Sequence, residues 1–299
     1  MRIAITGASG LVGTALRRSL AVDGHSVVRL VRHTSASPPG HEEAHWDPVG
    51  GEVDTDALRA VDAVVHLAGA PLGPTRWTPE YKQLIYDSRV NGTRALCTAL
   101  AEMDQPPPRL LSASAVGYYG ETGPEVVDED APHGDGFLAE VASAWEAAAT
   151  AAEESGISVA YLRSGVVLSS EGGLLGKVLP LFRMGLGGRL GDGRQYMSWI
   201  SIADEVGAIR FLLEHPEITG PVNLCAPEPI SNAEYTAALG RALHRPAFLA
   251  VPAVAMRSVL GEFADETALI DQRVRPRRLL EADYAFRHPE LEGALSDIL

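Results

Sequence analysis

Residues 2–6, RIAIT, run straight into TGASGLVG, which places glycine at positions 7, 10 and 13 between an apolar strand signal and a helical pattern. No other feature constrains the fold as much. The helical pattern LVGTALRRSLAV ends at the Asp23-Gly24 turn, and SVVRLV (26–31) then reads as a second strand. In such a strand–turn–helix–strand unit the three glycines serve different ends. Gly7 permits the tight turn, Gly10 lets backbone approach a phosphate, and Gly13 lets helix and strand pack closely. Ser9, Leu11 and Val12 complete the helix entry, whose N–H groups and partial positive charge suit a dinucleotide pyrophosphate.

The second strand ends on Arg32, followed by His33 and Thr34. A site for a ribose 2′-hydroxyl ordinarily offers Asp or Glu there, and a site for a 2′-phosphate offers Arg. The nearest downstream acids, Glu42 and Glu43, lie beyond a SASPPG loop. A planar guanidinium meets phosphate oxygens with two donors at once, so the cofactor expected is NADP(H) rather than NAD(H). The plainer alternative is a solvated strand-end arginine.

Further strand signals appear at 62–69, 109–116, 157–163 and 221–225, separated by the helical patterns RVNGTRALCTALAEM and LAEVASAWEAAATAAEES. This alternation predicts an α/β fold, a Rossmann-type doubly wound parallel sheet. The glycine-rich stretch 169–198 and the proline-punctuated helices of 227–299 break the rhythm. The expected division is a binding core of 1–167 plus about 200–226 and a smaller substrate lobe of 168–199 and 227–299 over the sheet's C-terminal edge.

A net charge of −14 argues against nucleic acid as a partner, because phosphate contacts need a positive field. Cys97 and Cys225 have neither disulfide-framework nor zinc spacing, and no apolar stretch reaches the roughly 18 residues that cross a bilayer. The expectation is a cytoplasmic protein with no membrane partner and a small-molecule substrate; a second copy of the chain is the candidate protein partner. His41 and His45 share helical spacing but lack a third ligand, so no metal site is expected. The acidic run EVVDEDAPHGDG (125–136) and the arginines 273, 275, 277 and 278 read first as solvated faces, with an anionic substrate as the sharper use of the arginines.

Over nearly its full length the chain resembles the extended short-chain dehydrogenase/reductase superfamily, in a branch described as epimerase-family or NAD-dependent epimerase/dehydratase-like. The resemblance rests on WDP (46–48), LAGAPL (67–72), SRVNGT (88–93), SASAVGYYG (112–120), LRSGVVLSSEGGLL (162–175), FRMGLGGRLGDGRQYMSWISIADEV (182–206), GPVNLCAPEPI (220–230) and VRPRRLLEADYAFRHPELEGAL (274–295). It implies that Leu67, Ala68 and Gly69 form the turn beneath a cofactor ribose, and that Arg89 and Val166 add cofactor contacts.

Most active members of that superfamily carry Tyr-x-x-x-Lys, in which lysine lowers the tyrosine pKa and tyrosine moves the proton. Here Phe137 and Val141 occupy those places. The companion hydroxyl falls on Ala115, and Ser114 fits only with a one-residue shift. Ser114, Tyr118 and Tyr119 are the candidate catalytic groups. Lys177, Arg183, Gln195 and Trp199 are the candidate substrate contacts, and Glu146 in WEAAA reads as pairing within its own helix. Two functions follow: an NADP(H)-dependent oxidoreductase or epimerase on a small carbonyl or hydroxyl compound such as a nucleotide sugar, or a silent NADP(H)-binding sensor, since some members of the branch are linked to cell or organelle division.

Overall fold

A computed structural model describes residues 1–34, 42–73 and 76–299. Strands β1 (Arg2–Thr6), β2 (Ser26–Val31), β3 (Glu42–His45), β4 (Ala63–His66), β5 (Arg109–Ala115) and β6 (Ser158–Ser164) belong to one sheet. Short strands β7 (Val166–Leu168), β8 (Gly188–Leu190), β9 (Tyr196–Met197) and β10 (Trp199–Ser201) intervene before β11 (Gly220–Leu224), which closes that sheet at its far edge. The order is β11-β6-β5-β4-β1-β2-β3, and every neighbouring pair is parallel. Strand order therefore reverses between β1 and β4. Doubly wound sheets take their ligands outside the carboxyl ends of the strands at such a reversal.

Alternation along the strands builds a core on each face. Ile3, Ile5, Val65 and Leu111 pack with helix α1 (Leu11–Val22) through Leu16 and Leu20. Ala4, Val64, Leu110 and Val159 turn the other way, toward Leu96 and Leu100 of α2 (Pro79–Ala101). Behind them come α3 (Phe137–Ala147) and α4 (Thr150–Glu154); α5 (Gly173–Arg183) follows β7, and α6 (Ile202–Glu214) lies beside α1 on the first face. Each of the buried Val, Leu and Ile side chains named here stabilises the fold by about 1.5–3 kcal/mol.

Strand β3 was not anticipated from the sequence. EEAH is short and polar, and it sits at the sheet edge, where charged side chains blunt further pairing. Only Ala44 and the following Trp46 bury, and Glu43 pairs with Arg29 at 3.1 Å.

Strands β12 (Ile230–Ser231) and β13 (Leu249–Val251) and helices α7 (Asn232–Ala242), α8 (Ala253–Leu260), α9 (Arg277–Glu281) and α10 (Leu291–Ile298) complete the chain. Strands β7 and β10, β8 and β13, and β9 and β12 form three two-stranded pairs. Leu168, Leu175, Leu179, Phe182, Tyr235, Leu239, Leu291 and Leu295 make a separate apolar cluster there. Asp204 in the first turn of α6 docks the last segment, accepting from the backbone N–H of Arg287 at 2.7 Å and of His288 at 2.9 Å. The two charge runs meet one another: Arg277 pairs with Asp130 at 2.6 Å, and the Val127–Val274 bridge joins their backbones. Arg273 and Arg275 instead pair with Asp271 and Glu228, acids outside the 125–136 run.

Candidate active site

Gly7 sits at φ +64°, and a Cβ on it would stand 2.7 Å from the Leu67 carbonyl. A Cβ on Gly13 would stand 2.3 Å from the Gly7 oxygen, so both positions are closed to side chains by backbone. Gly10 differs, since a Cβ there would meet only the Gly7 oxygen, at 3.3 Å, and would otherwise project into open space. The first helical bond of α1 runs from Thr14 N to Gly10 O at 2.9 Å. No side chain caps this helix and no acid lies in its first turn. Unfilled N–H donors and a partial positive charge thus face the space over Gly10, beside Ser9, Leu11 and Val12. The arrangement fits a diphosphate.

The wall opposite is Leu67–Ala68–Gly69, held by a buried polar chain. Thr6 Oγ1 accepts from Leu67 N at 3.0 Å and Ala68 N at 3.2 Å. Both its acceptor positions being used, it donates to His66 Nδ1 at 2.7 Å, leaving His66 Nε2 to donate to Thr93 Oγ1 at 2.9 Å. Trp145 Nε1 donates to the same Thr93 oxygen at 2.8 Å. Burial pushes the His66 pKa down to about 4, so the imidazole is neutral. In sequence His66 reads only as a strand residue; a polar residue inside VVHLA was the available signal.

Arg32 lies exposed just beyond the end of β2, next to the strand that carries the glycine turn. Arg17 of α1, not singled out from the sequence, reaches back to the turn and donates to Ala8 O at 3.1 Å. Its pKa is lowered, first by burial and then by repulsion from Arg29 and Arg18. Arg89 of α2 donates to Ala70 O at 3.0 Å and lies over the Trp145 ring, its Cζ 3.3 Å from where a Cβ on Gly69 would be. Burial pushes its pKa down to about 10. Val166 opens β7, and its N–H donates to Ser198 O at 2.8 Å.

The three candidate catalytic groups have other partners. Ser114 Oγ donates to Glu146 Oε1 at 2.6 Å, and Arg163 grips both oxygens of that carboxylate. Glu146 therefore pairs across to β6 rather than within its helix. Tyr119 is 4% exposed; its hydroxyl accepts from Arg163 Nη1 at 2.8 Å and donates to Asn223 Oδ1 at 2.7 Å. Burial raises its pKa well above the ordinary phenol value. Tyr118 stacks under the Arg163 guanidinium at 3.5 Å and edge-on to His133. Phe137 begins α3 against Trp77, with Lys82 Nζ 4.3 Å from its ring centre, and Val141 is buried one turn on. Neither can titrate.

Lys177 and Arg183 lie on the exposed side of α5. Gln195 is bound to backbone, donating to Leu190 O and Ala268 O at 3.1 Å each. Trp199 is 1% exposed within the lobe's apolar cluster, so its ring is core rather than a cleft wall. Two acids went unread in the sequence. Asp204 completes a Ser-x-x-Asp cap with Ser201, a legible start signal, and Glu205 falls on the inward face with Ile209 and Leu212. No His, Cys, Asp or Glu cluster suited to a metal occurs among the described residues, and His41 lies outside them.

Comparison with known proteins bears on this geometry. Residues 3–225 match the NAD dependent epimerase/dehydratase family, and residues 251–298 match a domain of unknown function, DUF1731. Epimerase family protein Mb2239 of Mycobacterium bovis is 49% identical over 293 residues, covering 98% of this chain and 96% of its own. The crystal structure of human epimerase family protein SDR39U1 with NADPH superposes with a TM-score of 0.91 at 36% identity, covering 100% of this chain and 99% of that one. A nucleoside-diphosphate sugar epimerase from Corynebacterium glutamicum gives 0.81 at 36% identity, covering 100% of this chain and 58% of that one. A glycine cradle at the crossover of a doubly wound sheet, matched along three quarters of its length by one family and followed by that C-terminal domain, assigns the chain: it belongs to the NAD-dependent epimerase/dehydratase family, within the extended short-chain dehydrogenases/reductases.

Proposed function

We propose that the crevice binds NADP(H) and that the protein is an oxidoreductase or epimerase acting on a small carbonyl or hydroxyl compound of the nucleotide-sugar class. The observation that carries this is the uncapped α1 N-terminus opening over Gly10, one strand away from the exposed Arg32. The NADPH in human SDR39U1 and the sugar-nucleotide name of the Corynebacterium relative support the cofactor and the substrate class.

The N–H groups of Leu11 and Val12 hold the diphosphate, with Ser9 and the three glycines shaping the cradle. Arg32 takes the 2′-phosphate. Leu67, Ala68, Gly69 and Arg89 border the ribose, and Val166 flanks the nicotinamide end. When bound, the nicotinamide supplies or accepts a hydride. Substrate contact is assigned to Lys177 and Arg183 on the exposed side of α5, with Gln195 holding the lobe's backbone and Trp199 its core. The silent-sensor alternative rests on Phe137 and Val141 alone. Two free, buried cysteines, Cys97 and Cys225, are consistent with the reducing cytoplasm we assign to it; no helix among the described residues is long and apolar enough to cross a membrane.

Fluorescence titration with NADPH, followed by assay of nicotinamide oxidation and reduction against aldehydes, ketones and sugar nucleotides, tests the proposal. Binding with turnover of at least one class is expected. Failure to bind refutes the cofactor assignment, and binding without any turnover refutes the enzyme assignment.

A further inference from the structure

Ala115 occupies the place where a reacting-oxygen hydroxyl is expected, and the next strand supplies one. Ser164 stands in register with Ala115 across the parallel β5–β6 pair, so both side chains leave the same face of the sheet at its carboxyl end. Ser164 is half-buried, and its Oγ lies 2.7 Å from Glu205 Oε1.

Glu205 is 2% exposed, and its other oxygen has no hydrogen-bond partner among the described residues. The acid does not cap its helix, since Ser201 and Asp204 do so. The Cys225 thiol just beyond β11 and the Tyr284 phenol of the C-terminal segment feel its charge, Asp204 precedes it on α6, and among the described residues no cation pairs with it. Burial pushes its pKa up to about 7. A carboxyl buried this way is costly, and an apolar residue would serve packing better.

We infer that Ser164 is the catalytic hydroxyl for the reacting oxygen and that Glu205, acting through it, is the positioning residue that keeps it supplied with a proton. In the reducing direction the carbonyl carbon receives a hydride from the nicotinamide, and the carbonyl π pair becomes an oxygen lone pair that takes the Ser164 Oγ proton. Ser164 Oγ, which donates to Glu205 Oε1 at rest, then takes a proton back from the Glu205 carboxyl, and the carboxylate regains one from solvent through the half-buried Ser164. One carbonyl, one hydride and one proton give one alcohol. Oxidation is the reverse. The inference rests on the NADP(H) proposal above.

The test uses the full chain as wild type, Ser164→Ala, Ser164→Thr, Ser164→Val and Glu205→Gln. NADPH affinity is measured by fluorescence, turnover against the same carbonyl panel as a function of pH, and the protonated-carboxyl stretch by infrared difference spectroscopy. Expected are unchanged NADPH affinity throughout, a loss of about a hundredfold or more in kcat for Ser164→Ala and Ser164→Val with Ser164→Thr largely retaining the rate, and, in Glu205→Gln, disappearance of both the carboxyl band and the inflection near pH 7. Ser164→Ala or Ser164→Val at the wild-type rate, or Glu205→Gln with an unaltered pH profile and band, overturns this inference and leaves the cofactor proposal standing. Wild-type protein that neither binds NADPH nor turns over any compound overturns the proposal beneath it.

Discussion

Arg163 and Glu146 meet as a buried fork, the arginine Nε and Nη2 donating to the two carboxylate oxygens at 2.8 Å each. Their side chains are 4% and 10% exposed. The pair also fixes Ser114 and Tyr119, which turns two residues that look catalytic in sequence into parts of a structural network.

Removing one charge from that pair leaves the other buried and uncompensated. Glu146→Gln is expected to destabilise the protein by about 3–5 kcal/mol, and Ser114→Ala by only about 1 kcal/mol. Urea unfolding monitored by tryptophan fluorescence gives both values. Similar losses for the two variants would mean that Arg163 finds another partner.

The neutral His66 beneath the cofactor wall makes stability depend on acid. Its folded pKa of about 4 lies below the ordinary 6.5, so the unfolded chain takes up a proton that the folded one refuses. Its contribution is complete above pH 6.5, falls as pH drops and is fully lost by about pH 4, a change of ~3 kcal/mol. Unfolding free energies of wild type minus His66→Gln across that range should show this fall. A difference independent of pH would mean that the imidazole is reached by water or already protonated.

Glycines with and without neighbours should respond oppositely to a methyl group. Gly13→Ala forces a Cβ to within 2.3 Å of the Gly7 oxygen and is expected to cost about 1–3 kcal/mol together with NADPH affinity. Gly293 in α10 has nothing within 4 Å of its added Cβ, so Gly293→Ala is expected to stabilise by about 0.5–1 kcal/mol. Thermal and chemical unfolding of the two variants decide the matter.

Strands β1, β2, β4, β5, β6 and β11 were legible because buried parallel strands read as short apolar runs bounded by turn residues. The glycine turn was legible because backbone geometry there allows so few residues. Strand β3 was not, since an edge strand needs no apolar run. The uses of Ser114, Tyr119 and Trp199 could not be read either: a hydroxyl or an indole at a strand end has the same sequence signature whether it faces a crevice or the Arg163–Glu146 pair. Register was the missing information, for Ser164 becomes Ala115's neighbour only once β5 and β6 are paired.

In the proposed site the N-terminus of α1 grips a diphosphate while Arg32 selects the extra phosphate. Parallel titrations of wild type and Arg32→Asp with NADPH and NADH test it most directly. Wild type is expected to bind NADPH more tightly than NADH, and Arg32→Asp to lose about ten- to a hundredfold for NADPH with little change for NADH. Equal losses for both cofactors, or no preference in the wild type, would contradict it.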